Sequence, residues 1–395
     1  MMAALDPKSP AVETGAAGTR SRPAIRSAVG AAMAIRLAIL VVGALAAWTI
    51  GYDPLPTEQA AWRVSPNVLA NLPARWDAYW YLDVAAHGYS WVETTPLQQN
   101  PVFFPVYPLL IRMVGASTGW PLAWAGVAIS LAAFAAAART MYRVASIELG
   151  EAAARRAVLL MTAYPFAIYY GAVYTESVFV FLLLSAWLAH RERRLLAAAA
   201  WGVLLGATRP NGFIVCAAFA WLALEQSTGL PRAARLRALV AAATPLVGLL
   251  AFSVYLAWAV GAPMAWFTGQ FAWGSLSSGM ATAFDPRWGP ALPFRPSDAM
   301  VHAANVAAVL FAIGAVLPIL RRFGTAHALL VGLSVLPPLA AHGILSMGRF
   351  TSVLFPLFLL LASRISQARE RRWLVGLLCA QVVVACLFYT WRIMV

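Results

Sequence analysis

The sequence predicts an all-α polytopic membrane protein, and three observations lead to that fold class. Of the 395 residues, 62% are hydrophobic and only 11% are charged, which is more apolar surface than a soluble domain of this size can bury. Several apolar runs exceed the roughly 20 residues that a helix needs to cross a bilayer. The runs are rich in alanine and show no period-two alternation, so they favour helices over the strands of a barrel.

The chain divides into a short polar start and one long apolar domain. Residues 1–27 are rich in Ala, Pro, Ser, Gly and Arg, which is typical of a disordered tail. Residues 28–395 are predicted to form a single transmembrane domain, whose first span is too long for a cleaved signal and is expected to be retained as an anchor. About eleven spans are predicted, at 28–50, 121–144, 157–174, 177–190, 195–209, 211–225, 238–260, 300–320, 325–345, 351–363 and 373–391.

The net charge of +14 would suggest nucleic-acid binding in a soluble protein, but here it follows from topology. Once the spans are placed, most basic residues fall on the side of the N-terminus, which is cytoplasmic by the positive-inside rule. We therefore expect no nucleic-acid partner, and we expect an integral membrane protein whose N-terminus is cytoplasmic. The basic residues on that side are Lys8, Arg20, Arg22, Arg26, Arg139, Arg143, Arg155, Arg156, Arg191, Arg193, Arg194, Arg232, Arg235, Arg237, Arg321, Arg322, Arg364, Arg369, Arg371 and Arg372.

The opposite, outer face gathers a smaller set of charges of both signs. It includes a first outer loop at residues 51–120, which we expect to be amphipathic and rich in aromatic rings, and a second large outer loop at residues 261–299. Ionisable groups at membrane depth are candidates for a functional site, because burying them without a role is costly. The charged residues on this face are Asp77, Asp83, Glu93, Glu176, Asp285, Asp298, Arg75, Arg209, Arg287, Arg295 and Arg349.

Cofactor chemistry finds little support in the sequence. The three cysteines lie inside apolar runs without metal-ligand spacing, and no glycine-rich phosphate loop of the nucleotide-binding types is present. Asp77 and Asp83 are six residues apart, or roughly 240° around a helix, so a shared metal is not favoured. We expect no cofactor and no metal.

Several motifs of the sequence, taken in order, carry a family resemblance. The first outer loop contains Arg75-Trp76-Asp77, then Gly88-Tyr89, Glu93 and Phe103-Phe104-Pro105-Val106-Tyr107-Pro108. Later motifs are Tyr164-Pro165-Phe166-Ala167 with Tyr174-Thr175-Glu176-Ser177, then Thr208-Arg209-Pro210-Asn211-Gly212, Gln270 with Trp273, and Arg349-Phe350 with Phe355-Pro356. These motifs resemble the PIG-V-like mannosyltransferases, the family of GPI mannosyltransferase 2 and its bacterial relatives.

The resemblance implies a GT-C fold, in which a helical membrane enzyme has its active site on the outer face. It also implies three partners: a polyprenyl-phosphate sugar donor, here a mannose donor, a glycolipid or glycan acceptor, and the membrane lipid. The chain departs from the family after Asp77, where Ala78-Tyr79-Trp80-Tyr81 replaces the histidine-phenylalanine step that is usual in the eukaryotic enzymes. The acceptor, the transferred sugar and the linkage therefore stay open.

An inverting transfer from a lipid-phosphate sugar needs a base and a phosphate-binding group. A carboxylate can take the proton of the acceptor hydroxyl while the anomeric carbon acquires oxocarbenium character, and Asp77 is our candidate. Arginines can stabilise the charge that grows on the leaving phosphate, and Arg209 and Arg349 are the candidates, with Arg75 third. The predicted substrate-binding residues are Arg75, Trp76, Asp83, His87, Glu176, Arg209, Asn211, Gln270 and Arg349.

Each of these residues also has a structural interpretation. Asp77 could cap a helix or pair with Arg75, Glu176 could cap the fourth span, and Arg209 could extend to the membrane surface from its turn.

Two other functions also stay open. A lipid-linked sugar transporter would bind the same substrates without transfer, although it predicts inverted repeats and polar residues deep in the spans. A GT-C enzyme could use another polyprenyl-phosphate sugar.

Overall fold

The computed structural model describes residues 17–52, 64–65, 68–95, 97–273, 296–344 and 346–392, and within these ranges the chain is helical without strands. The predicted all-α fold class is confirmed. Three 3-10 helices, Asn100–Val102, Pro165–Gly171 and Gly269–Trp273, accompany the α-helices. The α-helices are α1 Ala17–Thr49, α2 Val68–Asn71, α3 Ala78–His87, α4 Val106–Thr118, α5 Leu122–Leu149, α6 Glu151–Ala163, α7 Glu176–Arg191, α8 Leu195–Gly206, α9 Asn211–Ile214, α10 Cys216–Gln226, α11 Arg232–Val260, α12 Ala265–Thr268, α13 Pro296–Phe323, α14 Thr325–His342, α15 Met347–Ser352, α16 Phe355–Arg364 and α17 Gln367–Tyr389.

Fewer of these helices are long enough to cross a membrane than the eleven predicted spans. By length and hydropathy, five described helices qualify, and a sixth span is possible if a bent pair is counted as one. Helices α8, α14 and α16, and the segment Asn211–Gln226, are apolar but shorter. The five qualifying segments are Arg22–Thr49, Leu122–Leu149, Arg232–Val260, Ala299–Phe323 and Gln367–Tyr389.

Two predicted boundaries need correction. Helix α1 begins at Ala17, inside the segment 1–27 that is predicted to be a disordered tail, although this part of the helix includes Gly18 and Pro23, two poor helix formers. Residues 1–16 lie outside the described part of the chain. The predicted span 157–174 is wrong as a continuous helix, since α6 ends at Ala163 and a 3-10 helix, Pro165–Gly171, follows it.

Proline explains the break after α6. The ring of a proline disfavours helical geometry at the residue before it, and Tyr164 accordingly has an extended ψ of 136° ahead of Pro165. The 3-10 helix then meets α7 at an angle of 96°. This bend places the N-terminus of α7, beginning at Glu176, inside the protein rather than at a membrane surface, and Glu176 is fully buried.

A buried arginine stabilises the broken segment. Arg36 of α1 donates to the carbonyl of Thr162 at 2.7 Å, to the carbonyl of Ala167, and to Oε1 of Gln381 at 2.6 Å. The amide of Gln381 in turn donates to the carbonyls of Thr162 and Tyr164 at 3.1 and 2.5 Å. Arg36 and Gln381 therefore supply side-chain donors to carbonyls on both sides of the break, where the α-helical hydrogen-bond pattern is interrupted.

Close packing between helices determines the position of the turn after α8. A side chain at Gly206 would lie 1.8 Å from the carbonyl oxygen of Pro245, and one at Gly248 would lie 2.0 Å from the carbonyl oxygen of Val203. Small residues at such contacts let two helix backbones approach closely, as is common in membrane bundles. Helices α8 and α11 are therefore held together at the end where the motif beginning at Thr208 follows.

Candidate active site

Four charged side chains meet in one buried cluster of alternating sign. Asp77 Oδ2 lies 2.5 Å from Nη1 of Arg349, and Nε of Arg349 lies 3.0 Å from Oε1 of Glu176. The same oxygen of Glu176 accepts a hydrogen bond of 2.7 Å from Nη1 of Arg209. Asp77, Glu176 and Arg209 are 6%, 0% and 5% exposed, and the side chain of Arg349 is 11% exposed. We call these four residues the charge cluster.

Four distant segments supply one residue each to the charge cluster. Asp77 precedes α3, Glu176 opens α7 after the 96° bend, Arg209 lies in the turn between α8 and α9, and Arg349 lies in the short helix α15. All four residues were predicted from the sequence as catalytic or substrate-binding. The structure brings them together, although Asp77 and Arg349 are separated by 272 positions.

The capping interpretations of the two carboxylates receive little support. Asp77 occupies the N-cap position of α3, yet its side chain makes no capping hydrogen bond and reaches Arg349 instead. Glu176 is in the first turn of α7, where the helix dipole favours a negative charge, but its carboxylate contacts two arginines. Its second oxygen, Oε2, is buried and has no hydrogen-bond partner among the residues that the structure describes. A buried acceptor of this kind is available to a hydroxyl group of a ligand.

Aromatic rings surround the two arginines of the charge cluster. The guanidinium of Arg209 lies 5.5 Å from the ring of Phe179 and 5.2 Å from that of Phe350. The guanidinium of Arg349 lies 5.3 Å from the ring of Tyr174. Cation–π contacts and low polarity strengthen the ionic interactions inside the cluster.

The electrostatic setting keeps Arg349 charged and Tyr81 neutral. Burial alone lowers the pKa of Arg349, but the carboxylates of Asp77 and Glu176 outweigh it and raise that pKa well above the ordinary value. Burial raises the pKa of Tyr81, which faces the cluster from α3, to about 12. The Tyr81 hydroxyl lies 3.3 Å from Oγ1 of Thr175 and stays protonated near neutral pH, so it is unsuited to act as a base.

The motif from Thr208 to Gly212 owes its geometry to a tight turn. The hydroxyl of Thr208 donates to the carbonyl of Leu204 at 2.6 Å, and the amide of Gly212 donates to the carbonyl of Arg209 at 2.9 Å. A side chain at position 212 would lie 2.2 Å from the carbonyl oxygen of Leu205, so only glycine fits there. The turn directs Arg209 towards Glu176. Asn211, a predicted substrate-binding residue, begins α9 in this turn.

Arg75 and Trp76 connect the first outer loop to the end of the last helix. Arg75 is fully buried, donates to the carbonyl of Asn71 and, at 3.1 Å, to that of Tyr389, and stacks 5.0 Å from the ring of Trp391. Trp76 has a left-handed φ of 52° and its ring packs edge-on against Trp391 at 5.1 Å. The strained backbone at Trp76 lets its two neighbours, Arg75 and Asp77, take different directions.

The remaining predicted residues lie in other surroundings. Asp83 binds Nδ1 of His87 at 2.9 Å and accepts a hydrogen bond of 2.8 Å from Asn100. Gln270 donates to the carbonyl of Trp266 at 3.4 Å, beside a cleft of about 520 Å³. That cleft lies between the tip of the first outer loop, with Trp91, and the segment after α11. Asp285, Arg287 and Arg295 fall outside the described residues.

Metal ligands do not gather within the described ranges, where no group of three or more His, Cys, Asp or Glu side chains is suitably placed. In the charge cluster, both carboxylates are instead paired with arginines.

Arg36 was not predicted from the sequence as an important residue. It could have been found as a lone arginine inside an apolar run of the first helix. Its partner Gln381 is a similar lone polar residue in α17.

Comparison with known proteins agrees with the motifs. A family model described as mannosyltransferase (PIG-V) matches residues 58–260, which is just over half of the chain. The matched range contains Asp77, Glu176 and Arg209, while Arg349 lies beyond it. A search of curated proteins finds no match. The matched range and the helical membrane fold lead to one conclusion: the chain belongs to the PIG-V mannosyltransferase family and is a membrane glycosyltransferase.

Proposed function

We propose that the protein transfers a mannosyl residue from a polyprenyl-phosphate-mannose donor to a glycolipid or glycan acceptor. The reaction takes place on the outer face of the bacterial plasma membrane, proceeds with inversion and uses no metal. The observation that supports this proposal is the charge cluster, in which the carboxylates of Asp77 and Glu176 contact two arginines.

In this proposal Asp77 accepts the proton of the acceptor hydroxyl as its oxygen attacks the anomeric carbon. Arg209 and Arg349 bind the phosphate, whose negative charge grows as the bond to the sugar breaks, so their stabilisation is larger in the transition state than in the ground state. Glu176 holds the two guanidiniums beside each other, and its second oxygen is free to accept a hydrogen bond from a sugar hydroxyl. Asn211 and Gln270 remain candidates for contacts further from the reacting atoms.

The test uses purified protein in detergent with radiolabelled polyprenyl-phosphate mannose and a membrane glycolipid extract. The wild-type protein should transfer label to a lipid product. Asp77→Asn should lower the rate by about 10³-fold, within the range that a general base contributes, while expression and thermal unfolding change little. Transfer at the wild-type rate by Asp77→Asn would remove Asp77 as the base. Donor binding without a labelled product in any extract would favour a transporter, and transfer from a donor bearing another sugar would correct the sugar.

Metal independence and sidedness need separate measurements. Treatment with EDTA should leave the transfer rate unchanged, and a loss of activity that manganese restores would contradict the metal-free reaction. A cysteine introduced at Ser90, in the first outer loop, should react with a membrane-impermeant thiol reagent in intact cells. Labelling of that cysteine only after cell lysis would place the loop on the cytoplasmic side and reverse the proposed topology.

A further inference from the structure

The charge cluster has no spare positive charge. Arg209 and Arg349 are matched by Asp77 and Glu176, and every ionic contact in the cluster joins a carboxylate oxygen to an arginine nitrogen at 2.5 to 3.0 Å. A lipid-phosphate sugar is a phosphodiester and carries one negative charge. Adding that charge to a balanced and buried group of four is unfavourable, because a buried anion needs a counter-charge of its own. A phosphate that binds one of these arginines therefore competes with the carboxylate that the arginine already contacts.

The two carboxylates differ in how firmly they are held. Glu176 is fully buried and contacts both arginines through a single oxygen, Oε1. Asp77 contacts Arg349, lies at the start of α3 in the first outer loop, and makes no capping hydrogen bond that would fix its side chain to the helix. Replacing Glu176 breaks contacts with two arginines, whereas replacing Asp77 breaks the contact with one. Asp77 is the carboxylate that an incoming anion displaces.

We propose that the donor phosphate binds by taking the place of Asp77 at Arg349, and that this exchange releases Asp77 to act as the base. The proposal rests on the proposed function and adds an order of events to it. Without donor, Oδ2 of Asp77 is occupied by the hydrogen bond from Nη1 of Arg349. With donor bound, Arg349 contacts the phosphate, and Asp77 is free to accept the proton of the acceptor hydroxyl. The base is then released only when a phosphate occupies Arg349.

The charges balance through the transfer step. The acceptor oxygen forms a bond to the anomeric carbon while the bond from that carbon to the phosphate oxygen breaks, and the bonding electron pair stays on the phosphate. The proton of the acceptor hydroxyl passes to Asp77. One negative charge thus disappears from Asp77 as one appears on the phosphate, which becomes a dianion. Arg349, which contacts the phosphate after the exchange, stabilises the charge that appears there.

Binding of a donor fragment tests the exchange directly. Farnesyl phosphate, which carries the phosphate but no sugar, is titrated into the full chain in detergent, and its affinity is measured by calorimetry. Asp77→Asn removes the competing carboxylate while keeping the size of the side chain. It should bind farnesyl phosphate on the order of tenfold more tightly than the wild type, as expected for the loss of one competing charge-assisted hydrogen bond. Equal or weaker binding would overturn the proposal.

A matched control is available elsewhere in the chain. Glu370 is also shared by two arginines, at 3.0 Å from Arg156 and 3.5 Å from Arg155, and its side chain is 17% exposed. Glu370→Gln changes the net charge as Asp77→Asn does, so it should leave the affinity for farnesyl phosphate unchanged. A tightening equal to that of Asp77→Asn would show a general charge effect and contradict the exchange.

A second pair of variants protects the test against misfolding. Asp77→Ala should tighten binding as Asp77→Asn does. The double variant Asp77→Asn/Arg349→Gln loses one charge of each sign and should show no tightening, because the arginine that receives the phosphate is gone. If the wild type transfers mannose but Asp77→Asn binds no more tightly, the exchange fails and the proposed function stands. If no variant binds farnesyl phosphate and the wild type transfers nothing, both fail.

Discussion

Arg349 and Arg36 are both buried arginines, but their surroundings are opposite. Arg349 contacts two carboxylates in the charge cluster. Arg36 contacts the carbonyl oxygens of Thr162 and Ala167 and the amide oxygen of Gln381, all of which are neutral. The partners of Arg36 are mostly backbone atoms that cannot leave without unfolding a segment. The partners of Arg349 are side chains, and one of them is held by a single ion pair.

The comparison distinguishes a buried arginine with a structural role from a buried arginine that can bind a substrate. Neutral acceptors hold a guanidinium in place and stabilise a particular backbone geometry, as Arg36 does at the break between α6 and α7. Ionic partners can be exchanged for another anion at a modest cost, since the arginine keeps a counter-charge throughout. We therefore expect changes at Arg349 to affect catalysis most, and changes at Arg36 to affect stability most.

The largest effect is expected for Arg349→Gln. Removal of this guanidinium would deprive the donor phosphate of a proposed ligand, so kcat/KM for transfer should fall by about 10³-fold or more, comparable to the loss of a major electrostatic contact. It also leaves two carboxylates facing each other, which should lower thermal stability. The double variant with Asp77→Asn should recover the melting temperature without recovering transfer. Recovery of transfer in that double variant would show that the cluster is structural.

The next effect is expected for Arg36→Leu, measured as the free energy of unfolding in detergent. The carbonyl of Ala167 and Oε1 of Gln381 would lose Arg36 as their donor, and at 1 to 3 kcal/mol for each unsatisfied group the loss should be about 3 kcal/mol. The kcat of the molecules that remain folded should stay within about twofold of the wild type. Arg36→Lys should recover part of the stability. A large fall in kcat with normal stability would contradict the structural role.

A smaller effect is expected for Gly212→Ala. The added methyl group would lie 2.2 Å from the carbonyl oxygen of Leu205, so the turn must shift and Arg209 with it. Displacement of one phosphate ligand should lower kcat/KM by about tenfold, equivalent to 1.4 kcal/mol. Gly376→Ala is the control, since nothing lies within 4 Å of that position in α17. Equal activities of the two variants would show that Arg209 does not depend on this turn.

The sequence identified the members of the charge cluster but not their pairing. Asp77, Glu176, Arg209 and Arg349 each belong to a short motif of unusual polarity in an apolar chain, so composition and family resemblance suffice to find them. Their contacts depend on the packing of four separate helices, which no local pattern encodes. The sequence suggested Arg75 as a phosphate ligand for the same reason, and its contacts with Asn71 and Tyr389 become visible only in the structure.

Hydropathy predicted the long helices well, but it did not predict where a helix breaks. Long apolar runs predicted α5, α11 and α17 closely, because hydropathy alone defines a helix that crosses a membrane. Hydropathy does not register a proline that ends a helix within an apolar run, so the break at Tyr164 and Pro165 was missed. The sequence also predicted a membrane crossing at each of the shorter apolar helices. Turns determine where these helices end, and hydropathy does not show the turns.

The connection between the first outer loop and the last helix has a consequence for biosynthesis. Arg75 and Trp76, next to the candidate base, rest on Tyr389 and Trp391, and Arg349 also lies far along the chain. A ribosome makes the loop some 300 residues before it makes these partners. In a nascent chain, Arg75 and Trp76 therefore lack their contacts with Tyr389 and Trp391 while most of the helices are inserted. The segment around the candidate base therefore cannot make these contacts until the part of the chain with Tyr389 and Trp391 has been synthesised.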